Sequence, residues 1–76
     1  MQTLNQLCPG ERGVVRGLRG EGALHQRLQE MGVIEGADVE VVRVAPLGDP
    51  IEIIVQGYHL SLRKAEAAYV EVEQVC

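Results

Sequence analysis

The chain contains neither Phe nor Trp, so whatever core it builds must be assembled from aliphatic side chains. Val and Ile carry much of that load, and β-branched residues fit the half-buried pleated surface of a sheet better than the crowded turn of a helix. Length sharpens the constraint. At 76 residues, the chain 1–76 reads as one small domain, which buries only about 60% of the surface its unfolded form exposes. An arrangement that hides as many strand edges as possible is therefore expected, and a small antiparallel barrel is the simplest one.

The strands can be placed from the pattern. Gly13 to Leu18 reads as a first strand, with Gly17 marking a bulge or a close backbone approach. Val39 to Val44 is a second. Val39 and Val41 share one face while Val42 and Val44 share the other, so a bulge or burial on both sides is needed. Ile51, Ile53 and Val55 alternate with Glu52, Ile54 and Gln56. Gly57-Tyr58 fits a two-residue hairpin loop with glycine first. His59 to Leu62 then returns antiparallel with Leu60 and Leu62 inward, Lys64 to Ala68 makes one helical turn, and Val70, Val72 and Val75 lie on a closing strand. Leu4 and Leu7 are isolated apolar anchors ahead of the Cys8-Pro9-Gly10 turn.

Only Ala23 to Met31 has helical spacing. Leu24, Leu28 and Met31 fall at i, i+4 and i+7 on one face, and Gly32 stands where a left-handed cap would end the helix. The expected architecture is mainly β: about five antiparallel strands in a barrel, with one short helix inserted after the first strand.

Charge and chemistry exclude several classes of function. Seven basic and eleven acidic residues give a formal net charge of −4. Such a surface repels a phosphate backbone, and with only Tyr58 and Tyr69 as aromatics it has no stacking platform, so no nucleic-acid ligand is expected. No run approaches the roughly 18 apolar residues of a membrane span, so no direct membrane insertion is expected. Cys8 and Cys76 form no CxxC pair, which fits a reducing, cytoplasmic setting; a single disulfide between them remains open.

His59 and Ser61 sit two apart on one strand face, but no third group completes a catalytic set, and the glycines at 17, 20 and 22 make no nucleotide-binding fingerprint. Catalysis is not expected. Nor is a resident metal or other cofactor, since His25, His59, Cys8 and the carboxylates show no ligand spacing. What remains is a binding module. The Ala45-Pro46-Leu47-Gly48-Asp49-Pro50 loop is stiffened by two prolines, and Leu47 either folds back on the core or offers an apolar anchor to a partner. Leu24, Arg27 and Met31 from the helix, with Leu47 and Asp49 from the loop, are the candidate partner-binding residues. Leu47 would be the anchor and Arg27 and Asp49 rim charges, while Leu24 and Met31 read equally well as core.

Three segments, in order along almost the whole chain, resemble one family. Arg27-Leu28-Gln29-Glu30-Met31-Gly32-Val33-Ile34-Glu35-Gly36 is similar to the R-L-x-x-x-G-hydrophobic-x-x-G segment of FeoA, the bacterial ferrous iron transport protein A family. Ala45 to Pro50 resembles that family's A-P-L-G-D-P loop. Leu60 to Ala67, followed by Tyr69-Val70-Glu71-Val72, resembles its closing segment. The resemblance implies an SH3-like barrel and a cytoplasmic accessory role beside FeoB, the membrane Fe(II) transporter with a cytosolic GTPase region. The alternative, from another class, is a metal-handling module that binds Fe(II) or another divalent ion itself as chaperone or sensor, which needs a ligand cluster that the sequence does not show. Recognition of Pro-rich peptides is not expected without an aromatic groove.

Overall fold

The structure, a computed structural model, describes residues 2–75. Its elements run in the order β1 (Gln2–Thr3), a 3₁₀ turn (Leu4–Gln6), β2 (Arg12–Leu18), α1 (Ala23–Glu30), β3 (Asp38–Val44), β4 (Ile51–Val55), β5 (Tyr58–Leu62), α2 (Lys64–Ala67) and β6 (Val70–Val75). All six strands pair antiparallel in one sheet, ordered β1-β6-β2-β3-β4-β5. The mainly β architecture with one helix after the first long strand is as expected. The sixth strand is not: β1 is two residues long and leaves no periodicity to read.

The expected closure of the sheet is corrected. Among the described residues β1 and β5 do not pair, and the hydrogen-bonded ladder stays open. The reason lies at the ends of the two edge strands. Thr3 passes directly into the 3₁₀ turn, and Leu62 leads into α2, so neither edge is long enough to reach the other. Those two short helical segments touch instead, and they carry the fully buried Leu4 and Ala67. The seam is thus covered by side chains rather than sealed by backbone.

Both irregularities in the strands are bulges. In the β2–β6 ladder the register slips between Val15 and Gly17, leaving Arg16 unopposed. In β3–β4 it slips between Val41 and Arg43, and this resolves the valine pattern. Val39 and Val41 are buried, Val42 is the extra, exposed residue, and Val44 swings back to pack against the core opposite the buried Ile51. One inserted residue flips the alternation and keeps both ends of β3 facing inward.

The β4–β5 loop is also corrected. Val55 pairs with Tyr58, so the two loop residues are Gln56 and Gly57, with φ of 52° and 89°. Positive φ at both central positions suits the right-handed twist of the flanking strands. A loop at Gly57-Tyr58 would have set Val55 opposite Leu60; the observed one sets Ile53 opposite Leu60 and Ile51 opposite Leu62. Because the slip is two residues, no side chain changes face, and Leu62 is buried with Leu60 packed against the core.

Helix α1 ends in a complete Schellman motif. Gly32 adopts φ of 92°, its N–H donates to the Gln29 carbonyl at 3.0 Å, and the Val33 N–H donates to the Leu28 carbonyl at 3.0 Å. The two residues this geometry brings together, Leu28 and Val33, are both fully buried. Tyr58 then lies over the cap, its hydroxyl donating to the Met31 carbonyl at 3.3 Å.

Candidate interaction surface

The loop between β3 and β4 is a tied structure with a free tip. At its base the Ala45 N–H donates to the Pro50 carbonyl at 3.1 Å, and the Gly48 N–H donates to the Ala45 carbonyl at 2.7 Å. Gly48 takes φ of 87° to close that turn. Asp49 fastens the loop to its neighbour: its Oδ1 accepts the Lys64 N–H at the start of α2 at 2.9 Å. Leu47 stands clear of all this, 96% exposed. Of the two readings open for Leu47, the structure rejects folding back on the core.

Helix α1 divides its candidates differently. Leu24 and Met31 are half-buried and pack against the core beside Leu28. Arg27 flanks the same stripe, is exposed, and forms an ion pair with Glu66 of α2. Glu66 is doubly engaged, because its Oε1 also accepts the Arg63 N–H at 2.9 Å. Helix α1, α2 and the loop are therefore linked through two carboxylates.

Between them lies a groove of about 400 Å³ lined by Arg27, Asp49, Pro50, Ser61, Leu62, Arg63 and Glu66. The structure brings Arg27 and Asp49 together across it, at the foot of the Leu47 loop; Leu24 and Met31 do not line it. Arg63 and Glu66 are not among the residues the sequence singles out, and Ser61 is weighed there only for catalysis. One signal points to them, since Arg63-Lys64 is the sole pair of adjacent basic residues in the sequence. A slightly larger depression, about 420 Å³, lies where the starts of β2 and β3 meet the Gln56-Gly57 turn. None of the candidate residues line it.

No three His, Cys, Asp or Glu side chains cluster in a metal-binding arrangement among the described residues. Cys8 is exposed, and its pairing with Cys76 falls outside the described residues. No helix among them is long and apolar enough to cross a membrane.

A single antiparallel sheet, covered by short helices and bearing a charged groove beside the projecting Leu47 side chain, defines a small SH3-like domain. Its family is shown by comparison: the FeoA domain model matches residues 2–74, and the chain belongs to that family. It is 38% identical over 72 residues to a Porphyromonas gingivalis fusion of Fe(2+) transport protein A with the Fe(2+) transporter FeoB. That match covers 95% of this chain but only 8% of the fusion. The solution structure of iron(II) transport protein A from Clostridium thermocellum superposes with a TM-score of 0.93 at 42% identity, over 97% of this chain and 46% of that one. The zinc complex of Stenotrophomonas maltophilia FeoA, described as a prokaryotic SH3-domain protein, gives 0.83 at 30% identity, over 96% and 91%. The chain thus belongs to a family tied to ferrous iron transport.

Proposed function

We propose that this domain is a non-enzymatic accessory protein of ferrous iron uptake that docks on the cytosolic region of FeoB and modulates it. The observation that carries this reading is Leu47: an almost fully exposed leucine held on a loop whose base is fixed by backbone hydrogen bonds and by Asp49. Isolated surface leucines are ordinary, but one carried on a loop with a fixed base is different, because part of the backbone ordering that binding requires is already in place before a partner arrives. The fusion of a similar sequence to FeoB in one relative supports the choice of partner. On this reading the protein works in the cytoplasm, at the membrane only through its partner, and as an apolar anchor with charged surroundings.

The test is Leu47→Ser. Thermal stability should change by no more than about 0.5 kcal/mol, as for other exposed positions. Binding to the FeoB cytosolic region should weaken by about 1–2 kcal/mol, because an anchor seated in a pocket carries a large share of interface energy. Unaltered binding would sink the proposal.

A second reading, direct binding of a divalent ion, is favoured by the zinc-bound relative. Its weakness is the lack of a donor cluster among the described residues. Calorimetry with Fe(II) on the isolated domain separates the two: one ion per monomer, abolished by His25→Ala or His59→Ala, would favour it.

A further inference from the structure

The groove beside Leu47 has an uneven supply of unused hydrogen-bonding groups. Each of its carboxylates already has a donor: Glu66 accepts from the Arg63 N–H and pairs with Arg27, and Asp49 accepts from the Lys64 N–H through one oxygen. Its cations are less fully engaged. Arg16, Arg19, Arg27 and Arg43 each have a glutamate partner, whereas among the described residues Arg12, Arg63 and Lys64 have no carboxylate within 4.0 Å, and of these three Arg63 lines this groove with Lys64 next to it in sequence. Arg27, though paired, offers a guanidinium with five N–H donors of which the ion pair uses only a part, and it remains well exposed. Arg27 and Arg63 line the same groove. In a molecule of net charge −4, Arg27, Arg63 and the adjacent Lys64 set three cations against the two carboxylates Asp49 and Glu66 at this place.

We propose that this groove receives an Asp or Glu side chain of the partner polypeptide, on the same segment that takes Leu47 into an apolar pocket. This rests on the docking reading above and gives the partner a chemistry: an apolar pocket next to an acidic residue. A planar guanidinium matches a carboxylate with two parallel hydrogen bonds, and an incoming anion would also relieve the repulsion between the Arg63 and Lys64 charges.

The experiment measures binding of the FeoB cytosolic region to the wild-type domain and to Arg63→Glu, Arg63→Gln, Arg63→Lys and Leu47→Ser. It is run at about 50 mM and about 500 mM salt, where the screening length changes several-fold. Arg63→Glu should weaken binding about tenfold or more at low salt, with the gap to wild type shrinking at high salt, and Arg63→Lys should fall between them. Arg63→Gln removes the charge without adding a like charge beside Glu66, so it should weaken binding even where Arg63→Glu melts early. If Leu47→Ser loses binding while all three Arg63 variants bind like wild type, the carboxylate proposal is overturned and the docking reading stands. If the wild-type domain does not bind at all, both fall. Saturable binding of inorganic phosphate or GTP to the isolated domain, abolished by Arg63→Gln, would assign the groove to phosphate and overturn the proposal.

Discussion

Two turns in this molecule are built from the same parts and put to opposite ends. The turn after α1, Met31 to Gly36, and the loop after β3, Ala45 to Pro50, each hold a glycine near φ of +90° with an aliphatic residue just before or after it. In the first, the glycine folds Val33 back onto Leu28, and both vanish into the core. In the second, the glycine comes after Leu47 and leaves it in water. The difference is what lies beneath. The α1 turn sits over the sheet, with Tyr58 close above Gly32; the β3–β4 loop projects beyond the strands it joins, tied only at its base. A positive-φ glycine sets the direction of the chain, and the surroundings decide whether the neighbouring apolar side chain stabilises the fold or remains available.

The largest effect should come from exchanging the leucines' fates. Leu28→Ala removes a fully buried side chain and should destabilise the domain by about 3 kcal/mol, the usual scale for a cavity left in a core. For so short a chain, that is a large part of the whole margin. Chemical denaturation is the measurement, with Leu47→Ser as the companion variant. Similar midpoints for the two would mean that the α1 turn is not the closed structure described.

Next come the glycines themselves. A Cβ at Gly32 would lie 2.7 Å from the Tyr58 hydroxyl oxygen, whereas one at Gly48 would meet nothing within 4 Å. Both substitutions to Ala carry the strain of a left-handed conformation, about 1 kcal/mol. Gly32→Ala must in addition displace Tyr58 and its hydrogen bond to Met31, so it should cost about 2 kcal/mol in total. Equal losses in denaturation midpoint would show that Tyr58 moves aside freely and that the two turns differ less than the contacts suggest.

The same division governs how much of the molecule is legible in its sequence. Short-range periodicity identifies α1, the Gly32 cap and the inward faces of β4 and β5, and it marks both irregular strands while leaving a bulge as one of two readings at each, because each leaves a mark within a few residues. The two-residue β1 leaves none. The pattern sets the hairpin loop one residue late because glycine marks a positive φ whereas Gln56, at 52°, does not. The open seam between β1 and β5 is invisible for a different reason: whether two edges meet depends on where two strands far apart in sequence both end, which neither segment shows alone. The surface is legible in part. The Leu47 loop and Arg27 stand out as residues lacking a local purpose, but their common groove depends on Arg63 and Glu66, distant in sequence and joined to them only by the packing of α2.

The smallest expected effect tests whether an exposed carboxylate can hold a loop at all, which the contrast between the two turns assumes for Asp49. Glu11 is the accessible analogue. Its Oε1 accepts the Cys8 N–H at 2.6 Å and its Oε2 accepts from the Gln74 amide at 2.7 Å. The Cys8 amide first, and Gln74 second, hold its pKa below the ordinary carboxylate value. A carboxyl whose pKa is depressed on folding contributes stability above its unfolded pKa, near 4.5, and that contribution disappears as the pH falls through the folded value. Wild type should therefore lose slightly more thermal stability than Glu11→Gln when the pH drops from about 6 to about 3, because the amide cannot gain a proton and only the Glu11 contribution differs between them. Both proteins will lose stability from their other carboxylates, so the informative quantity is the difference between two melting curves at each pH. Glu11 is only partly buried and water screens it, so the difference should be small. If it is absent, a solvent-exposed carboxylate accepting a backbone amide does not measurably hold a turn in this domain. The Asp49–Lys64 tie could then not be credited with fixing the Leu47 loop, and the rigidity of that loop would have to come from its prolines and backbone hydrogen bonds alone.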